Sequence, residues 1–357
     1  MLVVRLLFSV LMLRYGECNT NLFPPTDASW FDIGAVLLPT EPWEETCVCE
    51  PQVYWDADQD EFRMYYRGGW GNMSVGIATS KTGINWTKYE NNPVYGGGGS
   101  NITGLFEGGQ PYVFRERKDK YWLFTTHRWD KMNIATSKNG YTWTPQDVEI
   151  PHPPGCSAWG NRVAWIEKTY KTNETRESNT YFMLQEAGFK GGVWSIYLYI
   201  SKNGLKWEIQ NNGDPLSSLG MGLGGSMYGG PSFANVNGTL TPRNSSGIYN
   251  LWYHATPAGE GNLPTDIYHA ASKDLINWKI SLCETPVLKH SGKGWEYDQT
   301  ADPSPIITPD GGALLYYDAD NNVVGKASIG MAISKPYLDT INTEFSYSEV
   351  DVTIELS

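Results

Sequence analysis

Long apolar runs are missing from this chain beyond its opening MLVVRLLFSVLML. Nothing after that run approaches the ~20 apolar residues of a membrane-crossing helix, so no internal span is expected, and the polar tail SYSEVDVTIELS carries no lipid-anchor signal. Positive charge is also in short supply. Against 39 Asp and Glu stand 27 Lys and Arg, scattered singly, and the net charge is −12. A phosphate backbone would meet no cationic stripe, which excludes nucleic acid as a partner, while acidity of this size is ordinarily a matter of solubility. Cysteine is rare, with five in 357 residues, and neither C-x-x-C nor H-x-x-x-H occurs, so no metal ligand is assigned and zinc has no ligand set. Two glycine-rich stretches carry no nucleotide chemistry. YGGGGSN has no following Lys, and GMGLGG at Gly220–Gly225 opens no helix, so both read as loops.

What the chain does have is aromatic rings and turn formers: 15 Trp, 22 Tyr, 38 Gly and 21 Pro. That mixture suits many short strands joined by tight turns, not long helices. The opening run, too short to cross a bilayer, is followed by Gly16 and Cys18, small residues of the kind a signal peptidase prefers. A signal peptide over residues 1–18 and a single domain over 19–357 are therefore expected. Six Asn-x-Ser/Thr sites, at Asn72, Asn85, Asn101, Asn173, Asn237 and Asn244, point the same way, to a secreted, extracellular glycoprotein with no membrane anchor. Cys47, Cys49, Cys156 and Cys283 would remain after cleavage, enough for up to two disulfides whose pairing the sequence leaves open.

One heptapeptide recurs. SKTGINW begins at Ser80, SKNGYTW at Ser137, SKNGLKW at Ser201, SKDLINW at Ser272, and a truncated SKP at Ser334, with the serines 57, 64, 71 and 62 residues apart. This is the spacing of a repeated structural unit, and catalysis needs only one copy of each group. Each copy follows an alternating apolar segment such as SVGIATS or SIYLYIS, which reads as a half-buried strand, so the heptapeptide is a hairpin tip with Ser as turn cap and Trp as packing anchor. Upstream of each tip lies a further strand pair, from EPQVYW and FRMYYRG in the first unit to DPSPIIT and GALLYYDAD in the last. Four antiparallel strands in each of five units predict an all-β, five-bladed β-propeller with a central pocket, its ring closed by pairing one chain end with the opposite terminal blade.

Inner strands that open with an acid followed by Pro, second strands rich in Tyr and Phe, and the S-x-D/N-G/L-x-x-W hairpin together resemble the five-bladed propeller glycoside hydrolases, the superfamily of families 43, 32, 68, 117 and 130. The resemblance covers roughly the whole chain from Asn19 on and is far more specific for fold than for reaction. It implies cleavage of glycosidic bonds in an oligo- or polysaccharide, with a carbohydrate as the partner, no required cofactor, and an expected monomer. An oxygen-rich axis permits a structural Ca2+ without requiring one.

In such a propeller the inner-strand starts and second-strand ends converge on the axis. That places Glu50, Glu107, Gln110, Asn161, Arg162, Gly230, Asp298 and Asp302 beside Arg67, His127, Arg128, Glu186, His254 and Asp318. Glycoside cleavage needs one carboxylic acid and one carboxylate. Glu50 is assigned as base or nucleophile and Asp302 as its partner or a transition-state stabiliser, with Glu107 or Glu186 as acid. Arg67, Gln110, His127, Arg128, Asn161, Arg162, His254, Asp298 and Asp318 are assigned to substrate binding, and Trp70 and Trp159 to stacking on sugar rings. The chain departs from the family 43 pattern where YGGP stands in place of EGP, so the acid must come from another element or be lost. A carbohydrate-binding propeller without catalysis is the alternative. A phosphorylase using Arg67, His127, Arg128 and Arg162 for phosphate ranks below it.

Overall fold

A computed structural model describes residues 30–71, 73–96, 108–127, 131–170, 177–188, 193–220, 227–257, 263–281, 285–307, 312–321 and 326–334. The expected leader, Glu107, Arg128, Cys283 and the sequons at Asn72, Asn101 and Asn173 lie outside these residues, as does the side chain of His127.

Five antiparallel sheets carry the chain, each built round four strands. Blade 1 runs Val48–Asp56, Glu61–Gly68, Ser74–Ser80 and Thr87–Lys88, and blade 2 runs Gly109–Arg117, Lys120–His127, Lys131–Ser137 and Thr144–Gln146. Blade 3 comprises Ala158–Tyr170, Glu177–Gly188, Ser195–Ser201 and Trp207–Ile209, and blade 4 Tyr228–Phe233, Tyr249–Ala255, Asp266–Ser272 and Trp278–Ile280. Blade 5 takes Gln299–Ile307, Ala313–Asn321 and Lys326–Ser334 from the chain's end, and its outermost strand, Trp30–Leu37, from the beginning. The first strands of successive blades touch one another in a closed ring round the axis. Helical structure among the described residues is limited to single 3-10 turns such as Pro42–Glu44 and Gly294–Glu296.

The recurring heptapeptide is a blade tip. The Ser201 hydroxyl accepts the N–H groups of Asn203 (3.3 Å) and Gly204 (2.9 Å), and the Trp207 indole donates to the Gly204 carbonyl (2.9 Å). Ser80, Ser137 and Ser272 cap their turns the same way. The fourth residue of the turn is left-handed in every complete copy, with φ of 78° at Gly83 and Gly140 and 76° at Gly204. These tips also join blades. Tyr316 of blade 5 donates to the Gly83 carbonyl (2.8 Å) and Tyr65 of blade 1 to that of Gly140 (3.0 Å), so a Cβ on either glycine would meet a phenol oxygen at 2.6 or 2.5 Å. Blades 1 and 2 thus each present this turn carbonyl to a tyrosine of the blade before.

Candidate active site

Each inner strand is bent where it meets the axis. Ladder register breaks at Cys49/Gln52, Gly109/Tyr112, Trp159/Arg162, Gly229/Ser232 and Ala301/Ser304. In four of the five blades the break holds a residue that precedes a proline and has left-handed backbone: Glu50 (φ 56°), Gln110 (51°), Gly230 (56°) and Asp302 (51°). A left-handed conformation is uncommon for Glu, Gln or Asp, and the following proline already disfavours the right-handed helical alternative. A bulge of this kind turns one side chain out of the strand's alternation and re-aims it. Here Glu50, Asn161, Arg162 and Asp302 come round a cavity of 30 Å3, room for about one water.

Below that cavity the second strands supply a buried layer. Arg67 meets Glu50 Oε1 at 3.0 Å and also donates to Cys49 Sγ from Nε (3.2 Å) and Nη2 (2.9 Å). Burial raises the Glu50 carboxyl to about 7, against the pull of Arg67 and with help from Asp302. Glu50 Oε2 is buried with no hydrogen-bond partner among the described residues. Burial likewise lifts Asp318, with further contributions from Asp302 and Glu50, so the axis holds more carboxyls than it can ionise together. His254 Nδ1 lies 3.3 Å from Asp302 Oδ1 and 3.2 Å from its backbone nitrogen. Burial works against the imidazolium, but the bond to Asp302 and the charge of Glu186 outweigh it and the His254 pKa rises.

The departure at YGGP has a structural answer. Glu186, from the second strand of blade 3, accepts the N–H groups of Asn161 and Gly230, each at 3.0 Å. A Cβ on Gly160 or Gly229 would lie 2.4 or 2.3 Å from its carboxyl carbon. Gly160 of the same blade and Gly229 of the next thus make room for the Glu186 carboxylate in the space that side chains of their own would fill. Burial raises the Glu186 pKa, with help from Asp302, and the charge of His254 and the backbone donors only partly offset it. Gly230 is tight for a second reason, since its Cβ would stand 2.5 Å from His254 Nδ1 and 2.6 Å from Asp302 Oδ1.

The structure brings together Glu50, Arg67, Asn161, Arg162, Glu186, His254, Asp302 and Asp318, as the propeller geometry predicts. Gln110 is beside them but turned into the wall, its amide lying against Thr126 Oγ1 (2.8 Å) and the carbonyls of Trp159 and Gly160 (3.0 and 3.1 Å). Arg162 is a clamp: Nη1 donates to the Gln110 carbonyl (2.9 Å), Nε to Gln185 (2.9 Å) and Nη2 to the Gly160 carbonyl, and burial draws its pKa down to about 10. With Arg162 on carbonyls and Arg67 on Glu50, two of the four cations proposed for phosphate are already engaged. Asp298 stands just ahead of the blade 5 inner strand, its N–H on the Asp320 carbonyl (3.1 Å), and does not border the central cavity. Trp159 corrects the stacking assignment. It is 1% exposed and its ring lies 4.2 Å from that of His152, so neither face is open to a sugar. Trp70 is 42% exposed and stacks on the Arg67 guanidinium at 4.8 Å, at the same end of the axis as Glu50.

Cys47 and Cys49 are bonded to each other, and Cys156 forms no disulfide among the described residues. Sequence reasoning also assigned no metal ligands. Glu186, His254 and Asp302 nevertheless offer three donor atoms within 4.8 Å of one another, a spacing one divalent ion could bridge at bonds of about 2.0–2.6 Å. One imidazole and two carboxylates form a donor set that fits such an ion. No sequence spacing could reveal it, because the three come from three blades.

No protein-family model and no curated protein sequence matches the chain. Solved structures do. A glycoside hydrolase is 16% identical with a TM-score of 0.59, over 92% of this chain and 95% of its own. An α-L-arabinofuranosidase of Podospora anserina, solved with cellotriose, is 12% identical with a TM-score of 0.56, over 88% and 98%. An N-acetylgalactosamine deacetylase of F. plautii, solved with blood group B trisaccharide, is 13% identical with a TM-score of 0.55, over 86% and 95%. What the chain shares with all three at these identities is a fold, the five-bladed propeller.

Proposed function

We propose that this protein hydrolyses glycosidic bonds at the Trp70 end of the propeller axis, with Glu50 as proton donor and Asp302 as the paired carboxylate. The observation that carries this reading is the state of Glu50. Its carboxyl titrates near 7, Oε1 is held by Arg67, and Oε2 has no partner among the described residues, so near neutral pH a large fraction carries a proton that a ligand could accept. This reverses the role expected for Glu50 from the family resemblance, because burial makes it a poor anion. Asp302, less buried and held by His254, is placed to activate water or attack the sugar. A sugar ring is too large for 30 Å3, so it would lie at the mouth, with the exposed face of Trp70 against its apolar side. We also read the protein as secreted and monomeric. Asn85 and Asn237 are exposed, as glycan acceptors need to be, whereas the Asn244 side chain accepts the N–H groups of Ser246 and Ile248.

A second reading rests on the Glu186, His254 and Asp302 donors: hydrolysis of the N-acetyl amide of an amino sugar, the chemistry named for one structural neighbour. A divalent ion held there would polarise the amide carbonyl and acidify a water. One experiment separates the two. The protein is assayed on aryl glycosides, arabinan, xylan and N-acetylhexosamines, with and without a chelator. Sugar release that persists in chelator and falls about 10²–10⁴-fold in both Glu50→Gln and Asp302→Asn supports the first reading. Acetate release abolished by chelator supports the second. Sugar release unchanged in both variants removes the proposed roles.

A further inference from the structure

The far end of the axis, where the inner strands finish, holds a cavity of 580 Å3, well within the roughly 300–1,000 Å3 of small-molecule sites. It is separate from the central cavity, with Gln52 and Tyr112 bordering both. Its lining includes aromatic rings, of which Trp55 is half-buried and Phe114 and Trp165 are buried. A strap closes one side. After blade 4's inner strand the chain forms a small hairpin, Asn235–Val236 against Thr239–Leu240, that pairs in parallel with Ile306 and Ile307 of blade 5. Its tip reaches blade 1, where a Cβ on Gly238 would stand 2.4 Å from the Trp55 carbonyl.

We propose that this cavity binds a saccharide, independently of whatever the central carboxylates do. The charges at the rim decide against other ligand classes. Arg115 is paired with Asp58 at 2.5 Å, and Arg117 with Asp119 at 2.9 Å, so a phosphate would find two of the three lining cations, Lys118 being the third, already neutralised. A lipid tail would bury those same ion pairs at a cost. A pyranose or furanose has an apolar face for the aromatic wall and a rim of hydroxyls that both donate and accept. The walls hold unmet hydrogen-bonding capacity of both kinds, since Arg115 Nε and Asn235 Oδ1 are buried without partners among the described residues. The saccharide has two sources, a free oligosaccharide or the chain's own glycan on Asn237, which is exposed at the strap's tip and borders the cavity. A tethered sugar there would have a high effective concentration.

The test is calorimetric titration of cellotriose, xylotriose and arabinotriose into the full-length protein made without glycans and into the same protein glycosylated. Two variants perturb the cavity, Asn235→Ala at its wall and Thr239→Arg, which projects a long side chain from an exposed strap position. Asn237→Gln, which like Thr239→Arg removes the sequon, leaves the cavity open. The expected result is saturable binding of at least one trisaccharide at millimolar affinity or better, weakened at least tenfold by both cavity variants. If glycosylated protein binds no trisaccharide until Asn237 is changed to Gln, the tethered glycan is the occupant. No binding in any form, or binding that both cavity variants leave intact while their unfolding midpoints match wild type, means the cavity holds water only and overturns the proposal.

Discussion

Glu50 shows how one residue's surroundings set its chemistry. A carboxyl that ionises at 4.5 in the open titrates at about 7 here because burial outweighs the attraction of Arg67. Two consequences follow for pH dependence. If the protonated carboxyl is the working form, kcat/KM falls tenfold per pH unit above about 7, and a pH–rate profile of wild type should show that limb. Stability carries the same signature. The raised pKa means the unfolded chain gives up the proton first, so stability from this group is complete below 4.5 and lost as pH rises through about 7, a change of about 3 kcal/mol. Urea unfolding of wild type and Glu50→Gln at pH 4.5 and 8 should therefore show wild type losing that amount relative to the variant. A difference independent of pH would mean that Glu50 ionises normally.

At the scale of the element, the four complete blade tips make a natural comparison. Three place glycine at the left-handed position, and the fourth places Leu275 there at φ 67°. For leucine that conformation costs about 1–2 kcal/mol. Leu275 is 4% exposed and packed in the largest apolar cluster, and burying such a side chain contributes about 1.5–3 kcal/mol. Removing it also leaves a void and a freer unfolded chain. Leu275→Gly should therefore destabilise the protein by about 1–3 kcal/mol despite relieving the backbone, as read from the denaturation midpoint. A stabilised variant would mean that the strain outweighs the packing.

For the whole molecule the decisive join is in blade 5. Trp30–Leu37 pairs antiparallel with Lys326–Ser334, so the first described strand and the last share a ladder. Without it Lys326–Ser334 would offer an open row of N–H and C=O groups to another molecule. A protein lacking residues 30–37 should unfold several degrees lower and elute in size-exclusion chromatography partly as oligomers, whereas an unchanged midpoint and a sharp monomer peak would show the closure to be dispensable.

The sequence by itself settled the repeat. Ser201, Gly204 and Trp207 satisfy one another within seven residues, and local chemistry of this kind survives as a readable motif. Blade count, strand order and the inner-strand acids before proline were legible for the same reason, and so was the placing of Glu50 and Asp302 at one cavity. Which chain end closes the ring, the internal pairing of Cys47 with Cys49, the burial of Trp159, and the seat of Glu186 in the space left by Gly160 and Gly229 were decided only in three dimensions. Each depends on atoms brought together across blades or on the bend of a strand. The protonation of Glu50 belongs with them, because a carboxyl's pKa is fixed by the water it loses and the charges it meets, and neither is written in its neighbours along the chain.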